Sequence, residues 1–109
     1  MTTKYKILGQ AAPTPNTLTA VYTVPASNSA VISTITICNQ NASNGSYSIS
    51  VAAAGAADAN TQYIIRGGVV PAADSIGITL GLTLGATDVV RANTNLANVS
   101  FNVFGSEVY

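Results

Sequence analysis

The sequence predicts an all-β protein: an antiparallel β-sandwich of Ig-like or jelly-roll type, with about seven to eight strands and an extended N-terminal arm. Three observations carry this. Apolar residues alternate with polar ones at a period of two in several separate runs, the pattern of strands with one buried and one polar face. Turn residues interrupt these runs every 8–14 residues, the spacing of short antiparallel strands in a sandwich or barrel. Helical periodicity is nearly missing. The 109 residues suffice for one domain and are too few for two.

The arm covers residues 1–16 and the sandwich domain residues 17–109. Within the arm, Lys4 to Leu8 is the one strand-like run, and Pro13 and Pro15 close it. Such an arm either folds back on its own sheet or adds a strand to a neighbouring subunit. The first strong strand places Leu18, Ala20, Tyr22 and Val24 on one parity and Thr17, Thr19 and Thr23 on the other. Pro25-Ala26-Ser27-Asn28 then turns the chain. Ala30 to Cys38 is apolar on both parities, as in a central strand covered on both faces or one bulged near Ser33-Thr34. Asn39 to Gly45 is a polar loop ending in Asn-Gly, a strong hairpin signal.

Tyr47, Ile49 and Val51 alternate with serines. Ala52 to Ala59 is Ala-rich but has no 3.6-residue stripe, so it reads as a strand end entering a loop, a short helical turn being the alternative. Gly67-Gly68 bends or bulges the run from Tyr63 to Val70. After Pro71-Ala72-Ala73-Asp74 comes the longest alternation, Ile76, Ile78, Leu80, Leu82 and Leu84. Gly85-Ala86-Thr87-Asp88 leads into Val89-Val90-Arg91, and Asn93-Thr94-Asn95 into Val99, Phe101 and Val103. Parity gives a core of Leu18, Tyr22, Val24, Ile32, Tyr47, Ile49, Val51, Ile76, Ile78, Leu80, Leu82, Val90, Val99, Phe101 and Val103.

Composition bears on function. Charged residues make up 7% of the chain, with four cations, four acids and no histidine, against about 25% charged in an ordinary soluble domain. The commonest general acid/base and the commonest metal ligand are absent. Four scattered cations form no basic stripe for phosphates, so no nucleic acid is expected as a partner. One cysteine cannot form a disulfide within the chain. Ser, Thr, Asn and Gln number 10, 13, 10 and 3, and Ala adds 17. Such short neutral side chains lose little entropy on ordering and pair with another chain without the desolvation cost of a charge. Zero net charge further favours association, so a homo-oligomer is expected. No apolar run reaches the ~18 residues of a membrane span, and the two N-terminal lysines are not followed by a signal-peptide core. Neither membrane association nor secretion is therefore expected.

No motif carries chemistry. Cys38 has no histidine to activate it and sits in the most apolar run, so it reads as a buried inert thiol. Asp58, Asp74 and Asp88 fall at turns, where Asp caps local backbone. Arg66 and Arg91 read as strand-edge or interface residues. Gly77, Gly81 and Gly85 recur along an alternating strand and suit a flat strip that another backbone can approach. The C-terminal Tyr109 is expected to be buried against the arm or a neighbour. No catalytic, cofactor-binding or metal-binding residue is expected, and no enzyme activity. The interface candidates are Lys4, Tyr5, Lys6, Ile7, Leu8, Arg66, Arg91 and Tyr109.

Tyr5-Lys6-Ile7-Leu8-Gly9-Gln10, Val21 to Ala26, Ile35-Thr36-Ile37-Cys38-Asn39, Leu80 to Val90 and Val99 to Gly105 together resemble a group of small virion proteins of tailed bacteriophages, notably those infecting cyanobacteria and other aquatic bacteria. The resemblance spans nearly the whole chain and rests on strand and turn residues. It implies a β-sandwich subunit made in the host cytoplasm and carried on the outside of a particle, with no functional residue transferable position by position. The expectation that follows is a capsid decoration (cement) protein, a small homo-oligomer bridging the major capsid protein lattice. The rival is a tail-fibre or baseplate subunit, with or without a carbohydrate- or receptor-binding role.

Overall fold

Alternating strands bury half their side chains only when two sheets face one another, and the chain does this with eight strands. A computed structural model describes residues 2–109; Met1, the first residue of the arm, lies outside them. The strands are β1 (Thr3–Ala11), β2 (Thr19–Thr23), β3 (Ser29–Asn39), β4 (Gly45–Ala52), β5 (Tyr63–Val70), β6 (Ser75–Leu84), β7 (Val89–Thr94) and β8 (Val99–Val108). Two single 3₁₀ turns, Ala53–Gly55 and Asn60–Gln62, lie between β4 and β5; the Ala-rich segment is thus a strand end at Ala52 that enters a loop through one short helical turn. Both sheets are antiparallel and four-stranded, ordered β1-β8-β3-β6 (sheet A) and β2-β7-β4-β5 (sheet B). The pairs β1·β8, β2·β7, β3·β6 and β4·β5 nest one inside the next. This is a long hairpin rolled into two layers, the jelly-roll order. No described helix is long and apolar enough to cross a membrane.

The doubly apolar run in β3 resolves as a bulge. Register shifts between Ile32 and Thr34 against both neighbouring strands. The inward set is Ala30 and Ile32 before the shift and Ile35 and Ile37 after it. One extra residue flips the parity, which is what a bulge does. A second bulge falls where Gly67 takes a positive φ of 72° and β5 slips against β4. The Asn-Gly loop before β4 is not a hairpin, contrary to the signal. It crosses from β3 in sheet A to β4 in sheet B. The buried Asn39 amide holds it, donating to the Ser43 and Val70 carbonyls and accepting from the Asn41 backbone.

Between the sheets lie Phe101, Ile32, Ile35, Ile37, Ile49, Val24, Val70, Val90, Val99 and Val103, all nearly inaccessible. Several expected core residues are only partly buried: Ile76, Ile78, Leu80 and Leu82 pack against the core from β6, an edge strand with a neighbour on one side only. Leu18 lies just before β2 and is half-buried, outside the core cluster.

The turn after β6 carries a testable strain. Thr87 has φ 67°, and Asp88 N donates to Gly85 O across it at 3.2 Å. A β-branched residue disfavours this region, which suits glycine. Thr87→Gly is expected to raise stability by about 1 kcal/mol, relief of the left-handed penalty outweighing the entropy gained by the unfolded chain. A rise in melting temperature checks it; an unchanged or lower one would mean that the Thr87 hydroxyl bond to the Ala86 carbonyl outweighs the strain.

Candidate interaction surface

The interface candidates separate into two groups. Lys4, Tyr5, Lys6, Ile7 and Leu8 lie along β1, which folds back onto its own chain and pairs with β8 from Thr3↔Val108 to Ala11↔Phe101. Tyr109 joins them, exchanging backbone bonds with Thr2 while Lys4 Nζ lies 5.8 Å from its ring centre. Tyr109 thus lies against the arm, as expected, but within the single chain this contact leaves it 45% exposed. Arg66 and Arg91 belong to sheet B. Arg66 stacks 4.5 Å over the Tyr63 ring and donates to Asn60 Oδ1 at 2.9 Å. Arg91 donates to the Ala56 carbonyl at 2.8 Å and to that of Gly55 at 3.3 Å. It thereby pins the 53–62 segment over the outer side of sheet B.

Side-chain parity in β1 decides what the outer face of sheet A presents. Thr3, Tyr5 and Ile7 point outward, whereas Lys4 and Lys6 point toward the sandwich rim. Lys6 forms a 2.8 Å ion pair with Glu107, which is itself 4% exposed. Glu107 accepts a second bond, 2.6 Å from Tyr22 Oη on β2. The Lys6 ammonium and the Tyr22 hydroxyl together hold the Glu107 carboxyl below its ordinary pKa, and the carboxylate in turn raises that of Lys6. Burial, reinforced by the bond to Glu107, raises Tyr22 well above the usual tyrosine range.

The other charged side chains are likewise engaged elsewhere. Asp88 accepts from Gly85 N and Ala54 N, Asp74 from Ser75 N, and Asp58 from Tyr63 Oη. The outer face of sheet A therefore carries no charged side chain among the described residues. Its rows run Tyr5–Ser106–Val31–Thr83, Ile7–Phe104–Thr34–Thr79 and Gln10–Asn102–Thr36–Gly77 across β1, β8, β3 and β6. Tyr5, Ile7 and Val31 are 85%, 53% and 41% exposed. With Lys6, Ser33, Phe104, Gly105 and Ser106 they line an open trough of about 590 Å³, at whose edge the half-exposed Lys6 stands paired to Glu107.

Val31 and Phe104 were not among the interface candidates. Their signal lies in the pattern: each is a large apolar residue on the polar parity of its strand, beside inward Ile32 and Val103. Cys38, expected to be buried, is half-buried and free on this same outer face, in the row with Ser100 and Ser75. It flanks buried Ile37 and Asn39 on the other parity. In comparisons with known proteins, no family model matches the chain and no curated protein matches it.

Proposed function

We propose that this protein is a structural subunit of a bacteriophage virion, a decoration (cement) protein that stabilises the major capsid lattice through neutral contacts. The observation that carries the reading is the segregation of charge. A broad sheet face holds hydroxyl, amide, glycine and a few apolar groups, while charged side chains are held in local bonds at the rim, the turns and sheet B. Such a face binds by shape and area without desolvating ions. At many symmetry copies, modest contacts sum to a strong mechanical brace. The resemblance to small phage virion proteins supports the same reading; the jelly-roll order is compatible with it but by itself shows no function.

A tail-fibre or baseplate subunit with a carbohydrate-binding role is the second reading. Its support is the Tyr5 ring, 85% exposed beside Ser106 and Ser33, an aromatic face next to polar groups of the kind that sugars use. Gold-labelled antibody against the chain, imaged on intact virions that carry it, separates the two. Label over the shell is expected. Label confined to the tail overturns the decoration role, and binding on a glycan array that Tyr5→Ser abolishes establishes the receptor role in its place.

A further inference from the structure

We propose that the outer face of sheet A is a self-complementary interface that packs against the same face of a second copy of this chain. The inference deepens the virion reading, on which it rests: that reading assigns this neutral face to contacts within the particle without saying whether the capsid or another copy covers it. The two edges of the sheet differ in side-chain height, β1 being tall and β6 low. The edge strand β1 presents Tyr5 and Ile7, β8 presents Phe104, β3 presents Val31 and Thr34, and the far edge β6 presents Gly77, Thr79, Gly81 and Thr83. No atom lies within 4 Å of where a Cβ would stand on Gly77 or Gly81, so β6 leaves an open trough.

Two copies can face each other about either of two in-plane axes. An axis across the strands sets β1 over β1 and β6 over β6, so tall meets tall and a gap remains above the glycines. An axis along the strands sets β1 over the second copy's β6 and β8 over its β3. Ile7 then stands over Thr79, Gln10 over Gly77, and Tyr5 over Thr83, with Gly81 open between the Tyr5 and Ile7 rows. The tall edge of each copy then meets the low edge of the other, at the ~10 Å separation of packed sheets. By strand parity no charged side chain stands on the face, and Lys6 at its edge is neutralised by Glu107.

Area supports the same occupant. Four strands about 4.8 Å apart and ten residues long, at ~3.4 Å per residue, cover about 650 Å² in projection. Rough side chains raise the accessible area toward the ~800 Å² per partner of a stable interface. Sheet B exposes Ile64 and Val69 on its edge strand β5, but Arg66 stands between them and the 53–62 segment covers part of the face.

Sedimentation velocity across a hundredfold concentration range tests this on the full chain. A dimer is expected, with Cys38 reacting more slowly with a maleimide as the dimer fills. Gly81→Tyr, at a position with room for the new side chain, is expected to fold as the parent does and weaken the dimer at least tenfold. Tyr5→Ser, at a side chain with no internal packing to lose, is expected to weaken it as well. A monomer or a trimer at all concentrations overturns the proposal. So does a dimer that both variants leave intact with Cys38 still reactive, the result expected of edge pairing through β6. A dimer that fails to decorate shells leaves this interface standing and removes the virion reading; a monomer that decorates shells does the reverse.

Discussion

Phe101→Ala will lower the unfolding free energy by about 3–5 kcal/mol, the cost of a large cavity in a core that cannot collapse around it. Phe101 is 1% exposed and lies between the sheets, its ring 6.4 Å from that of Tyr47 at a 60° tilt. It sits on β8, whose neighbours on both sides are strands of the same chain, so backbone hydrogen bonds hold the walls of the cavity apart. Against the ~5–15 kcal/mol of a typical domain, this is a large share of the total. In urea the midpoint will fall with little change in slope. Phe104→Ala, three residues on and on the outer face, will cost about 1 kcal/mol or less in dilute solution. Equal losses from the two substitutions would mean that β8 is turned the other way.

Glu107→Gln will cost about 2–3 kcal/mol, although it removes no volume. The amide loses the charge that pairs with Lys6 and has one accepting oxygen where the carboxylate had two, so either the half-exposed Lys6 ammonium turns to water or the buried Tyr22 hydroxyl gives up its donated bond and accepts from the amide nitrogen. The effect depends on pH with a definite sign. The folded carboxyl has a lowered pKa, from the Lys6 bond first and the Tyr22 bond second. Its contribution is therefore fully present above its ordinary value of 4.5 and is lost as pH falls through the lower folded value. Tyr22 acts at the other end. Its pKa is raised above the ordinary 10.0, mainly by burial, so its contribution holds below pH 10 and fades in more alkaline solution. The parent protein will show both limbs in a stability-against-pH curve, and Glu107→Gln will flatten the acid one. An acid limb of unchanged depth in the variant would place the titrating group elsewhere. Because Lys6 belongs to β1 and Tyr22 to β2, the same substitution will speed amide exchange in both strands relative to β3.

Period-two patterning determined the all-β class, about how many strands there are and most inward positions in β4 and β8, because alternation along one strand is a local property; in β2 a register shift between Ala20 and Tyr22 broke the parity, leaving Ala20 exposed and turning Val21 to the core. Turn residues determined where strands end. Pairing was not legible in this way. The Asn-Gly signal before β4 describes a local preference, while the partner of β3 was settled by which strands could close two layers over one core. The bulge at Ser33 was visible only as an ambiguity, two apolar parities in one run, and the ladders with β6 and β8 decided it. The partial burial of Ile76 to Leu82 follows from the edge position of β6, which no stretch of sequence states by itself.

The candidate surface divides along the same line. Composition alone determined that the surface would be nearly uncharged and built from small side chains. Only the tertiary structure decided that Tyr5, Ile7, Val31 and Phe104 share one face, that Lys6 turns inward to Glu107, and that Arg66 and Arg91 serve the opposite sheet. The physical reason is that side-chain direction within a strand is fixed by its own backbone, whereas adjacency between strands is fixed by the burial of residues dozens of positions apart.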